Sequence, residues 1–97
     1  MHANLRGTRY KFSAKKLPAD TGGSCSSPQE SNPAIDICST IKREDIFLEN
    51  IIHEMLHGCY WDLDEAAITE GARDIAKVLR KLGVKVDVAE AKKTMNG

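Results

Sequence analysis

His53, Glu54 and His57 stand in the order His-Glu-Met-Leu-His, in a stretch with no proline and no glycine before Gly58. Phe47, Leu48, Ile51, Ile52, Met55 and Cys59 recur there at helical spacing, which predicts a helix over 43–59. Two histidines four residues apart project from one helical face and can offer ring nitrogens to one tetrahedral metal ion. The glutamate between them is rotated toward the remaining coordination position, where it can serve as general base on a water acidified by the ion. The plainer reading is two histidines on a helix surface, bonded to backbone or solvent. If Leu48, Ile51, Ile52 and Met55 face a sheet, both histidines point the other way, beside Ile46 and Asn50. A second helix folded back over that side would turn it into a cleft able to hold a metal, and the metal reading is therefore preferred.

Zinc needs at least a third protein ligand, and the only other histidine is His2. No histidine follows His57, which excludes the metzincin extension of the pattern. Cys25, Cys38 and Cys59 lack the close pairing of a thiolate zinc site and are expected as free thiols, with Cys59 buried and inert. A carboxylate is left. A second helix is predicted from the cap at Asp64 to a stop at Gly83, with Ile68, Ala72, Ile75, Ala76 and Leu79 on one stripe. Glu65 lies within that stripe and so faces the first helix, whereas Glu70 falls nearly opposite Ile68. Glu65 is the expected third ligand, with Asp62, Asp64 and Glu70 as substitutes; its plainer role is a favourable charge at a helix N-terminus. Two imidazoles and a carboxylate suit zinc best but also admit iron, nickel or cobalt. Tyr60, three residues beyond His57, is a possible accessory group that would polarise a carbonyl oxygen, and Arg73 is a weaker one; packing and solvent exposure are their plainer roles. Trp61 is expected as a core or rim anchor.

The elements that must position these groups are short. Thr8, Tyr10 and Phe12 alternate with Arg9 and Lys11, predicting a strand over 5–12 with one buried face. Residues 18–33 gather three prolines, two glycines and four serines, a composition that predicts a long loop. A second strand is expected over 34–38, where Ile35 and Ile37 face one way and Asp36 the other, paired antiparallel with the first. Val84, Val86 and Val88 permit a short edge strand, and 89–97 is expected as a frayed tail. The fold class is thus α+β: a small antiparallel sheet packed on the histidine-bearing helix, with a second helix toward the C-terminus.

Ninety-seven residues leave room for one domain, taken as 1–97. Lysine plus arginine equal aspartate plus glutamate, so no whole-molecule field favours nucleic acid or an anionic membrane. The one local excess, Arg6, Arg9, Lys11, Lys15 and Lys16, reads as a solvated strand face, with a nucleic-acid accessory role the least favoured alternative. No apolar run approaches the roughly 20 residues of a membrane span, and no secretory leader is apparent, so the expected location is cytoplasmic.

The stretch from Ile51 to Leu79, with His-Glu-Met-Leu-His-Gly-Cys followed by Asp-Leu-Asp-Glu and a regular helix, resembles the small zincin-like metallopeptidases of bacteriophage and bacterial genomes. The resemblance covers about a third of the chain and implies a minimal zincin-like fold with a gluzincin-type site. It implies His53 and His57 as zinc ligands, Glu54 as base and Glu65 as carboxylate ligand, with a peptide or protein substrate and a phage-encoded protein in the host cytoplasm. Related phage proteins often carry an acidic residue before the second strand, where this chain has Ser24-Cys25-Ser26-Ser27. The implied activity is peptide-bond hydrolysis, with strand 34–38 along the cleft rim pairing with extended substrate. Its rival is a metal-stabilised binding or structural module that cleaves nothing. Oligomeric state is left open.

Overall fold

A computed structural model describes all residues, 1–97, as a mixed four-stranded sheet and three helices, an α+β fold. The chain opens with β1 (His2–Leu5) and β2 (Thr8–Lys15), an antiparallel hairpin closed by the two-residue turn Arg6-Gly7. The expected strand over 5–12 is therefore the turn and most of one arm of this hairpin. Its predicted alternation holds: Tyr10 and Phe12, and Ala14 beyond them, are buried, while Arg9 and Lys11 are exposed on the other face.

Two further strands follow, β3 (Gly23–Cys25) and β4 (Ala34–Cys38), and the sheet order is β1-β2-β4-β3. β4 lies parallel to β2, with Phe12 opposite Ile35 and Ala14 opposite Ile37, so the expected antiparallel pairing is corrected. The reason is the length of the connection. A parallel partner needs a crossover of a dozen residues or more, and the segment between β2 and β4 supplies it. That segment is also not wholly loop: β3 forms within it, running antiparallel to β4 along the outer edge.

Helix α1 (Glu44–Cys59) packs across the inner face of the sheet, and helix α2 (Glu65–Lys81) packs on α1. The apolar stripe expected to face the sheet divides between two neighbours. Phe47 is buried against the sheet, with Ile51 and Met55 beside it, whereas Leu48 and Ile52 form a second cluster with Ala72 and Ala76 of α2. A helix placed between a sheet and another helix needs two apolar faces, and one broad stripe in sequence supplies both. The α2 boundaries follow local chemistry: the Asp64 side chain accepts from the Ala67 N–H at 2.7 Å, and Gly83 leaves the helix at φ 88°.

The C-terminal segment is the largest departure from expectation. Residues 84–87 form no strand, and 88–97 are not frayed, because α3 (Val88–Asn96) packs on β2. Asp87 caps it by accepting from the Glu90 N–H at 3.1 Å, and Met95 is buried in the sheet cluster. Asn96 bonds both the N–H and the carbonyl of Ala14, and the Met1 ammonium donates to the Met95 carbonyl at 2.8 Å. The alternating valines are real but serve an extended approach to this helix, with the Val86 N–H bonded to Glu44 Oε1. No helix is long and apolar enough to cross a membrane.

Candidate metal centre

Helices α1 and α2 run antiparallel, and a side-chain contact fixes each end of the pair. At the far end Glu44, in the first turn of α1, pairs with Arg80 in the last turn of α2. At the near end the chain turns within 60–64, where the Leu63 N–H bonds the Tyr60 carbonyl at 3.0 Å. Asp64 then caps α2, and Glu65 becomes its first residue, pointed back at the last two turns of α1.

His53 and His57 are partly buried and share one face of α1, as the four-residue spacing dictates. Their Nε2 atoms lie 3.2 Å apart. Glu65 straddles them, with Oε1 2.8 Å from His53 Nε2 and Oε2 2.9 Å from His57 Nε2. One ligand atom from each of the three residues falls within 4.8 Å of the others, and no other histidine, cysteine or acid forms such a group. A tetrahedral zinc with ligands at 2.0–2.1 Å requires donors about 3.3–3.4 Å apart, so the histidine pair is already at that spacing. The donor set fits zinc in chemistry, two borderline nitrogens and one hard oxygen with a coordination position left over, while the Glu65 oxygens stand at hydrogen-bond distance from the rings and would draw back to ligate. The Glu65 side chain is 67 % exposed, so the group opens to solvent on the α2 side. No protein group bonds either Nδ1, so the rings are oriented by packing and by the ligand side alone.

Glu54 is the one charged residue buried in the fold, 6 % exposed. Burial, with the nearby Glu65 charge as a lesser cause, pushes its carboxyl up to about 7. A cation between the histidines would oppose both effects. What covers Glu54 is β3: a Cβ built on Gly23 would come within 2.8 Å of Glu54 Cγ and 2.9 Å of its Oε2. Only glycine lets the strand lie this close to the acid. Gly23 was not singled out as a site residue in sequence, where it reads as one of several loop glycines; a Gly-Gly pair is a signal of close backbone approach as much as of a turn.

β3 also corrects the placement of the cleft rim. β4 lies between β2 and β3 and has no free edge, so strand 34–38 cannot take an added strand. The edge belongs to β3. The Cys38 N–H bonds the Gly22 carbonyl and the Ser26 N–H bonds the Ala34 carbonyl, with Ser24 opposite Asp36. By the alternation of an antiparallel pair, the backbone groups of Gly23 and Cys25 face outward along the open edge.

The remaining candidates stand apart from the ligand group. Asp64 is committed to its cap, and Asp62 and Glu70 are exposed without contact to either histidine. Tyr60 is 47 % exposed with the Arg6 guanidinium over its ring, and its hydroxyl bonds none of His53, Glu54, His57 or Glu65. Arg73 is exposed. Trp61 is 42 % exposed, its ring centre 6.4 Å from that of His57, which makes it a rim residue and not a core one. All three cysteines are free, with Cys38 buried and Cys59 partly buried where full burial was expected. The Cys25 thiol is pushed up to about 11, chiefly by burial, and so stays protonated and poor as a metal ligand.

Compared with known proteins, the chain matches no family model, no curated protein and no solved structure. The chemistry of the site is therefore carried by its own geometry.

Proposed function

We propose that this chain is a zinc-dependent, zincin-like peptidase of the gluzincin type, with His53, His57 and Glu65 as metal ligands and Glu54 as general base. The observation that carries the reading is the convergence of two Nε2 atoms and a carboxylate on one point, beside the only buried acid in the fold. When bound, zinc would supply a Lewis acid and an acidified water.

The chain's own residues supply the rest. His53 and His57 hold the ion from one side and Glu65 from the other. Glu54, held under β3 in a poorly solvated position, can accept a proton at its carboxylate and return it to a leaving amine. The outward backbone groups of Gly23 and Cys25 can pair with an extended peptide laid along the β3 edge, and Trp61 offers an aromatic surface at the rim. The deciding experiment loads the protein with zinc and incubates it with a mixture of unrelated peptides, comparing wild type with Glu54→Gln. Cleavage by the wild type alone supports the reading, equal cleavage by both removes Glu54 as base, and cleavage by neither removes the peptidase reading.

A metal-stabilised module without catalysis is the second reading. It is favoured by the small core, 15 buried residues of 97, which a structural ion would reinforce. Hydroxamates separate the two, since they bind only where the metal keeps an open position.

A further inference from the structure

α2 is apolar over a wider arc than α1 covers. Ile68, Ala72 and Ala76 are buried against α1, while Ile75, Val78 and Leu82 follow one another on the adjoining stripe and remain 43 %, 55 % and 75 % exposed. Val84, whose N–H bonds the Leu79 carbonyl, extends this patch at 40 % exposure. Asp74, Ile75, Val78 and Leu79 line a shallow hollow on it. Contiguous exposed apolar residues rimmed by charge are the kind of surface on which soluble domains bind partners.

The charges bordering the stripe identify what fits it. Asp74 lies toward its N-terminal end and Lys81 toward its C-terminal end, on the same border, and neither makes an ion pair within the chain. We propose that a second copy of this chain docks here, α2 against α2 in antiparallel orientation, about a two-fold axis passing close to Val78. That symmetry sets Val78 against Val78 and Ile75 of each copy against Leu82 of the other. The most exposed side chain, Leu82, then enters the hollow of the opposite copy. It also sets Asp74 opposite Lys81 twice, because the antiparallel two-fold keeps the shared border on one side of the seam, whereas a parallel pair would place the two copies of that border on opposite sides of the seam and leave both charges unpaired. The surface is thus complementary to itself in one orientation only. The contact spans roughly two helical turns, at the low end of specific interfaces, and gives a concentration-dependent dimer, not an obligate one. Glu65 lies well round the helix from this stripe, so the metal centre stays open in the dimer.

Sedimentation velocity of the full chain over a concentration series is the test. The wild type is expected to pass from monomer to dimer as concentration rises. Val78→Glu, at an exposed position, should lower the association constant by about tenfold or more. Asp74→Lys and Lys81→Asp should each weaken association, and the two together should restore it. Helical circular dichroism, unchanged across the set, verifies that the variants fold. A wild type that is monomeric throughout, a dimer indifferent to Val78→Glu, or a double reversal no better than the single ones would overturn the proposal.

Discussion

Each end of the α1–α2 hairpin is closed by a glutamate, and the two glutamates face different partners. Glu44 meets a permanent cation, Arg80, and a backbone N–H, that of Val86 at 3.0 Å. Its carboxylate is complete within the chain and its role ends with joining the helices. Glu65 meets two imidazole nitrogens 3.2 Å apart, neither of which bears a fixed charge. That arrangement is open to solvent on the Glu65 side and brings together groups that could hold a metal ion. The lesson is that similar carboxylate contacts differ in meaning according to whether the partner can be changed: one end is a structural clasp, the other a candidate site.

Truncating each end in turn should separate the two roles. His57→Ala or His53→Ala removes an inner ligand and should reduce zinc affinity by about a hundredfold or more, read by competition with a chromogenic chelator. Glu44→Ala should leave that affinity within experimental error while lowering unfolding free energy by about 1–2 kcal/mol in denaturant melts, from the lost ion pair and backbone bond. If Glu44→Ala weakened zinc as much as a histidine change, the ends would not be independent.

The floor of the near end can be perturbed without touching a ligand. Gly23→Ala introduces a Cβ against Glu54 and should cost about 1–3 kcal/mol of stability, as overpacking does. An unchanged melting midpoint would mean that β3 does not press on Glu54.

A smaller effect should follow pH. In the metal-free protein the Glu54 carboxyl is raised from 4.5 to about 7, so the folded state holds its proton more tightly than the unfolded chain. The favourable contribution is complete below about 4.5 and is lost as pH rises through about 7. Metal-free Glu54→Gln, which cannot ionise, should therefore melt above the wild type at pH 8, with the gap narrowing toward pH 5. A gap independent of pH would assign the effect to packing.

How far the sequence foretold this structure follows the range of the interactions involved. The His53–His57 face, the Asp64 cap, the Gly83 stop and the facing of Glu65 toward α1 are all decided within one or two helical turns, and spacing alone exposes them. β3 was hidden because Gly-Ser-Cys has little strand propensity and pairs only because β4 offers an edge. The parallel register of β2 and β4 depends on that same crossover. α3 was obscured by the alternation of Val84, Val86 and Val88, although Asp87 and Glu90 already formed a start signal for a helix. Within the candidate site, the coming together of His53, His57 and Glu65 was legible, while the glycine that lets β3 lie against Glu54 was not, since close approach is a property of two distant segments.

Metal content is the direct test of the central claim. Protein purified without added metal, then titrated with zinc, should bind one ion per chain, and Glu65→Ala should lose affinity by about tenfold to a hundredfold with its fold intact. A chain that takes up no zinc, or one whose affinity is untouched by Glu65→Ala, would contradict the account.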